Sequence, residues 1–120
     1  MRADEPTVHA ECAETVRAVR LEGELVWPAA RRLSTRVQAC LPAGPAATVI
    51  DLSGVRFLDS CGVAALLALH RSLTEAQAVV AFARPTPLIE RLLTIADLHD
   101  HLPLHGTLEA ARRAAGSPVP

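Results

Sequence analysis

The 120 residues predict an α/β domain in which a mixed β-sheet of about five strands carries about four helices. Two short apolar runs rich in β-branched residues, Ala46–Asp51 (AATVID) and Ala78–Ala83 (AVVAFA), are bounded by turn signals and read as buried strands. Stretches with apolar residues at helical spacing lie between and after them. Such alternation implies parallel βαβ units with right-handed crossovers.

In chain order, Thr7–Glu11 and Thr15–Glu22 read as two short strands able to form a hairpin; in TVRAVRLE both faces are mixed. Pro28 is a favourable first helical residue, and Leu33, Val37 and either Cys40 or Leu41 recur at helical spacing, so a first helix is expected to end before Pro42. The segment Pro42–Pro45 is a turn, after which Ala46–Asp51 forms a central strand. The Ala-rich stretch Cys61–Leu73, with Leu66, Leu67, Leu69 and Leu73, is apolar nearly all round, as for a second helix buried against a sheet. Strand Ala78–Ala83 follows, and Thr86-Pro87 supplies the cap and first-turn proline of a third helix carrying Leu88, Leu92, Ile95 and Ala96. A short strand at His101–Leu104 and a last helix from Thr107 to about Ala115 complete the order.

A chain of this length suits one domain, so residues 1–120 are expected to form a single one, with 1–6 and 116–120 flexible. Trp27, Phe57 and Phe82 are its only aromatics, so the core must come from Leu, Val, Ile and Ala. Twelve basic and thirteen acidic residues nearly cancel without long runs of like charge, and no aromatic stacking platform exists, which argues against a nucleic-acid partner. No signal peptide or membrane-length apolar run is visible, giving the expectation of a cytoplasmic protein without membrane insertion. Cys12, Cys40 and Cys61 are odd in number and scattered, which suits a reducing compartment and suggests neither a disulfide framework nor a zinc site.

The segment Asp51–Gly62, DLSGVRFLDSCG, resembles the STAS domain, and specifically the bacterial anti-sigma factor antagonists, whose strand-to-helix turn reads roughly DLSxVxFhDSSG with h apolar. VRLEGEL at Val19–Leu25 is similar to that family's second strand, and LIERLLTIADL at Leu88–Leu98 to its third helix. The resemblance implies a STAS-type mixed sheet. It also implies that Ser60, the first Ser after the Asp, is phosphorylated by a partner that is both anti-sigma factor and serine kinase. The unphosphorylated form would bind that partner and free the sigma factor, and a PP2C-type phosphatase would reset the switch. Partner contacts are then expected at Asp59, Ser60, Cys61 and Gly62, and at Val26 and Trp27, with no catalytic residue, metal or cofactor. Ser60 suits the role physically: near a helix start its hydroxyl should be close to the surface beside unpaired N–H groups, and a phosphate adds about −1.5 to −2 charge there.

Family members carry an acidic residue after GEL, whereas this chain has Val26 and Trp27. Trp27 also precedes Pro28, the expected first helical residue, where a helix would take Ser, Thr, Asp or Asn as its cap. It is either an exposed anchor for a partner or a side chain folded onto Leu25 and the first helix.

Other readings carry less. Asp59-Ser60 before an apolar helix is also an ordinary N-cap, a role compatible with switching. A hydrolase built on Ser60 lacks the first glycine of GxSxG, and His70 lies ten residues along the same helix, roughly 15 Å away by helical rise. Cys61 replaces a Ser or Thr and is either a small substitute or a thiol activated by the helix start. His99, Asp100, His101 and His105 read as a polar sheet edge rather than a metal site, and Arg31, Arg32 and Arg36 as a solvated helix face. The same fold would also suit a non-switching interaction subunit of a lipid-transport or stress-signalling complex.

Overall fold

The computed structural model describes residues 5–12, 16–41, 47–98 and 100–116. The turn at Pro42–Pro45, the strand starts at Thr15 and Ala46, His99 and residues 1–4 and 117–120 lie outside the described residues. The elements are β1 (Thr7–Cys12), β2 (Val16–Leu25), a 3₁₀ turn (Ala29–Arg32), α1 (Leu33–Ala39), β3 (Ala47–Leu58), α2 (Ser60–Glu75), β4 (Val79–Ala83), α3 (Pro87–Ile95), β5 (Leu104–His105) and α4 (Leu108–Gly116). The five strands form one sheet in the order β1-β2-β3-β4-β5. β1 pairs antiparallel with β2, and every later pairing is parallel. The expected mixed sheet with four helices is therefore present.

Alternation along the strands sends side chains to two unequal cores. Val19, Leu21, Ile50, Leu52, Val55 and Phe82 meet Leu33 and Val37 of α1, Leu66, Leu69 and Leu73 of α2, and Ile89 and Leu93 of α3. On the opposite face Val49, Ala81 and Ala83 are covered by Ala111 and Ala115 of α4. Small residues on both sides let α4 lie close to the sheet. With so few aromatics, each buried Leu or Ile contributes roughly 1.5–3 kcal/mol of burial.

β3 runs seven residues beyond the expected end at Asp51, and the difference lies in its partner. β2 also extends, to Leu25, and the two stay paired as far as Leu25 opposite Leu58, through irregularities between Arg20 and Glu22 and between Gly23 and Glu24. The polar Ser53 and Arg56 fall at these irregularities, and pairing with β2 resumes after each, at Gly54 and at Phe57. Gly54 is needed in this stretch, because a Cβ there would lie 2.7 Å from the Leu21 carbonyl oxygen.

The first helix begins less regularly than Pro28 suggested. Pro28 offers no side-chain acceptor at the N-cap, and the chain takes a tighter 3₁₀ turn before α1 starts at Leu33, with Leu33 and Val37 buried as the spacing required. In α3, Thr86 caps as expected, its Oγ1 accepting from the Ile89 N–H at 3.2 Å. The buried face, however, is Ile89 and Leu93, while Leu88 is exposed and Ile95 is 74% exposed. LIERLL offers two overlapping apolar stripes, and the sheet takes the one beginning at Ile89. The last strand lies at Leu104–His105 rather than His101–Leu104: Pro103 donates no N–H, and pairing begins with its carbonyl, which accepts from the Phe82 N–H at 2.8 Å.

Asp51, the first residue of the motif, is buried in the sheet away from Ser60. Its carboxylate accepts from Arg84 Nη2 at 2.7 Å and Nε at 3.3 Å, and from the Ser53 N–H at 3.0 Å. Burial pushes its pKa up, but these donors outweigh burial and hold it below the ordinary carboxylate value. The motif thus contains a structural ion pair at one end and the candidate site at the other.

Candidate phosphorylation and partner-binding site

The site forms where β2 and β3 end side by side and α2 begins. Asp59 is extended and caps α2: its Oδ1 accepts from the Gly62 N–H at 2.9 Å. Its Oδ2 turns the other way and accepts from the Trp27 N–H at 3.0 Å. The Asp59 N–H donates to the Leu25 carbonyl at 3.2 Å, and its carbonyl accepts from the Val63 N–H at 2.9 Å. These bonds lock the end of β2 to the start of α2. The Asp59 pKa is lowered, first by the Trp27 N–H, against a smaller opposing effect of burial and with help from Gly62.

Gly62 permits this closeness. A Cβ at this position would lie 2.0 Å from the Leu25 carbonyl oxygen and 2.8 Å from Leu58 Cβ. Ser60 is the first residue of α2 and is exposed. Cys61, one residue on, is a free thiol, half-buried and packed against the main core. Val26 is half-buried, and its carbonyl accepts from the Ala30 N–H at 2.9 Å.

The six residues expected at the partner surface, Val26, Trp27, Asp59, Ser60, Cys61 and Gly62, are therefore brought together, although Gly62 is itself buried. The Trp27 side chain is 65% exposed rather than folded into the core. Phe57, which sequence reasoning did not single out, is 41% exposed beside this end of the sheet. The register explains the omission. Strict alternation from Val55 would bury Phe57, but Gly23 pairs with Val55 and Glu24 with Phe57, so Arg56 is an extra residue on β3 and Leu58 takes the inward position. Also unforeseen is a shallow groove of about 250 Å³ between the first helical segment and α2, lined by Ala30, Arg31, Ser34, Cys61, Ala64 and Ala68.

The remaining candidates fall elsewhere. His70 sits on α2 with its ring 6.1 Å from that of Phe82, and burial lowers its pKa. Arg32 and Arg36 pair with Glu5. Among the described residues, His, Cys, Asp and Glu do not gather in threes as a metal site requires.

A mixed sheet covered by helices thus presents Ser60 at a helix start, at the end of the sheet where Trp27 and Phe57 are exposed. The family described as Mlab, STAS domain, matches residues 9–112. The chain belongs to the STAS domain family, and among STAS domains it resembles the anti-sigma factor antagonists. An anti-sigma factor antagonist from Mycobacterium paratuberculosis is 28% identical, with a TM-score of 0.76 over 94% of this chain and 96% of that one. Unphosphorylated SpoIIAA, an anti-sigma factor antagonist, has the same fold at 18% identity, with a TM-score of 0.70 over 95% of this chain and 100% of its own. The phosphorylated form of the Bacillus cell fate determinant SpoIIAA aligns with a TM-score of 0.58 at 18% identity, over 87% of this chain and 94% of that one. No curated protein sequence matches the chain.

Proposed function

We propose that this protein is an anti-sigma factor antagonist: it binds a kinase-type anti-sigma factor through the Ser60 turn and is released when that partner phosphorylates Ser60. A PP2C-type phosphatase restores the binding form. The reading assigns the protein to the cytoplasm and gives it no enzymatic activity of its own. Among the described residues, no helix is long and apolar enough to cross a membrane.

The observation that carries the reading is the exposed Ser60 at the first position of α2, held there by Asp59 and Gly62. A phosphate at a helix start is tolerated by the fold, with a gain of roughly 0.3–1 kcal/mol. The bound partner would instead have to desolvate a dianion beside the Asp59 carboxylate, and a penalty of about 4 kcal/mol weakens binding about a thousandfold. The switch therefore acts on affinity and needs no large change of shape. Similarity to the mycobacterial antagonist supports the general role.

Incubation with ATP and the cognate kinase is expected to label the wild type and leave Ser60→Ala unlabelled, and Ser60→Asp should bind the unmodified partner far more weakly than wild type. Labelling that persists in Ser60→Ala, or tight binding by Ser60→Asp, refutes the switch. The matched family's description, naming Mlab, and the replacement of an acidic residue by Val26-Trp27 favour a second reading, a non-switching interaction subunit of a lipid-transport or stress-signalling complex. For that subunit Ser60→Asp would leave partner affinity unchanged.

A further inference from the structure

The three arginines after Pro28 do not share one fate. The Glu5 carboxylate holds Arg32 and Arg36, whereas among the described residues the exposed Arg31 guanidinium has no ion-pair or hydrogen-bond partner. Arg31 instead lines the groove of about 250 Å³ between the first helical segment and α2, together with Cys61, Ala64 and Ala68. Ser60, Ala64 and Ala68 are exposed and spaced four residues apart on one face of α2, so the row that Ser60 begins runs along this groove. Beyond Ser60 its side chains are methyl groups, which leave the path from the hydroxyl to the opposite wall open. The backbone sets the approach. The Trp27 N–H, bonded to Asp59 Oδ2 at 3.0 Å, ties the segment to the start of α2, and Arg31 follows one turn later, its N–H donating to the Pro28 carbonyl at 3.1 Å. Ala30, buried in the main core, fixes the segment beside α2.

Resting on the reading of Ser60 as the phosphate acceptor, we infer that Arg31 holds the phosphate once Ser60 is phosphorylated. A guanidinium offers two parallel N–H donors to two phosphate oxygens, a fork that an ammonium lacks. The acid at this turn does not claim Arg31, because the Asp59 oxygens are taken by the Trp27 and Gly62 N–H groups. Arg32 and Arg36 are withheld by Glu5, which leaves Arg31 as the arginine of this segment that is free to turn toward the helix start. The pair spans the mouth of the groove. A surface open in the unmodified protein is thereby covered in the phosphorylated one, in addition to the charge that the phosphate brings.

Phosphoserine installed at position 60 of the full chain by genetic encoding makes the test independent of any kinase. Its phosphorus NMR signal, followed from about pH 4 to pH 8, gives the midpoint of the second phosphate ionisation, about 6 in free phosphoserine. The N–H groups of the helix start and the Asp59 carboxylate act alike in every variant, so differences between variants isolate the arginine. Arg31→Ala is expected to raise the midpoint by about half a unit, an about threefold change in proton affinity, and Arg31→Glu by about one unit. Arg32→Ala, which removes a guanidinium held by Glu5, should leave it unchanged. A midpoint unmoved by Arg31→Ala, or moved as far by Arg32→Ala, overturns the pairing and leaves the Ser60 switch standing. Failure of the kinase to label Ser60 refutes the switch instead, and the two results are read in separate measurements.

Discussion

Two helix starts meet at the candidate site, and they are built to different standards. α2 begins at an extended Asp59 whose side chain accepts an N–H three residues on, and it then runs regularly to Glu75. The segment after Pro28 has no side-chain cap at the start of its 3₁₀ turn and none at Arg32, the residue before α1 begins at Leu33. The first arrangement satisfies a donor that the helix cannot satisfy itself; the second leaves its first turn to tighten. The weaker start also depends on the stronger, because the second oxygen of Asp59 takes the Trp27 N–H just ahead of Pro28. One carboxylate therefore positions both the exposed serine and the exposed tryptophan.

The largest expected effect tests how tightly the stronger start is built. In Gly62→Ala the added methyl would have to displace the Leu25 carbonyl, part of the backbone to which Asp59 is bonded. The cost should be about 3 kcal/mol, read as a fall in melting temperature on the order of 10 °C. Gly106→Ala, where nothing lies within 4 Å of the new atom, should stay within about 0.5 kcal/mol of the parent. Equal melting of the two variants would show that α2 and β2 are not locked together as described.

A smaller effect tests the shared carboxylate. Asp59→Ala removes the acceptor for both Gly62 and Trp27 and should cost roughly 1–2 kcal/mol, whereas Asp59→Asn, which keeps an oxygen, should cost less. Acid distinguishes them further. The folded-state pKa of Asp59 lies below its ordinary 3.8, so its contribution is complete above that value and fades as pH falls through the folded value. Denaturant titrations below about pH 4 should therefore show the wild type losing part of its advantage over Asp59→Asn. An advantage that is constant with pH would mean that the carboxylate charge does not matter.

The contrast also explains what could be read from the sequence. The strong start was legible because its determinants are local: Asp-Ser-x-Gly between an apolar strand and an apolar helix states the cap, and Thr86-Pro87 does the same for α3. The long reach of β3 was not, since Leu52–Leu58 is strand only by virtue of β2 beside it, and the residues that irregular pairing makes necessary, Gly54 and Arg56, look like loop. The exposure of Phe57 and the inward turn of Leu58 follow from that same extra residue. For α3, the sequence carried two apolar stripes, and only packing chose between them. Trp27 was ambiguous for a similar reason: which way a side chain turns at an uncapped helix start depends on what binds its backbone, and Asp59 is 32 residues away.

The smallest effect on the fold comes from Trp27 itself. Its side chain is mostly in water, so Trp27→Ala should change stability by no more than about 0.5 kcal/mol, since the bond to Asp59 comes from the main chain and survives the substitution. As the chain's only tryptophan, it reports on its surroundings without interference. The free protein should show water-like, long-wavelength emission that iodide quenches readily. If the side chain anchors the proposed partner, binding should shift the emission to shorter wavelength and shield it from iodide, and Trp27→Ala should cost about 2 kcal/mol or more in partner affinity, roughly thirtyfold in Kd. Affinity lost without loss of stability would place Trp27 in the contact. Stability lost in step with affinity would show that the weaker helix start relies on the indole as well as on Asp59.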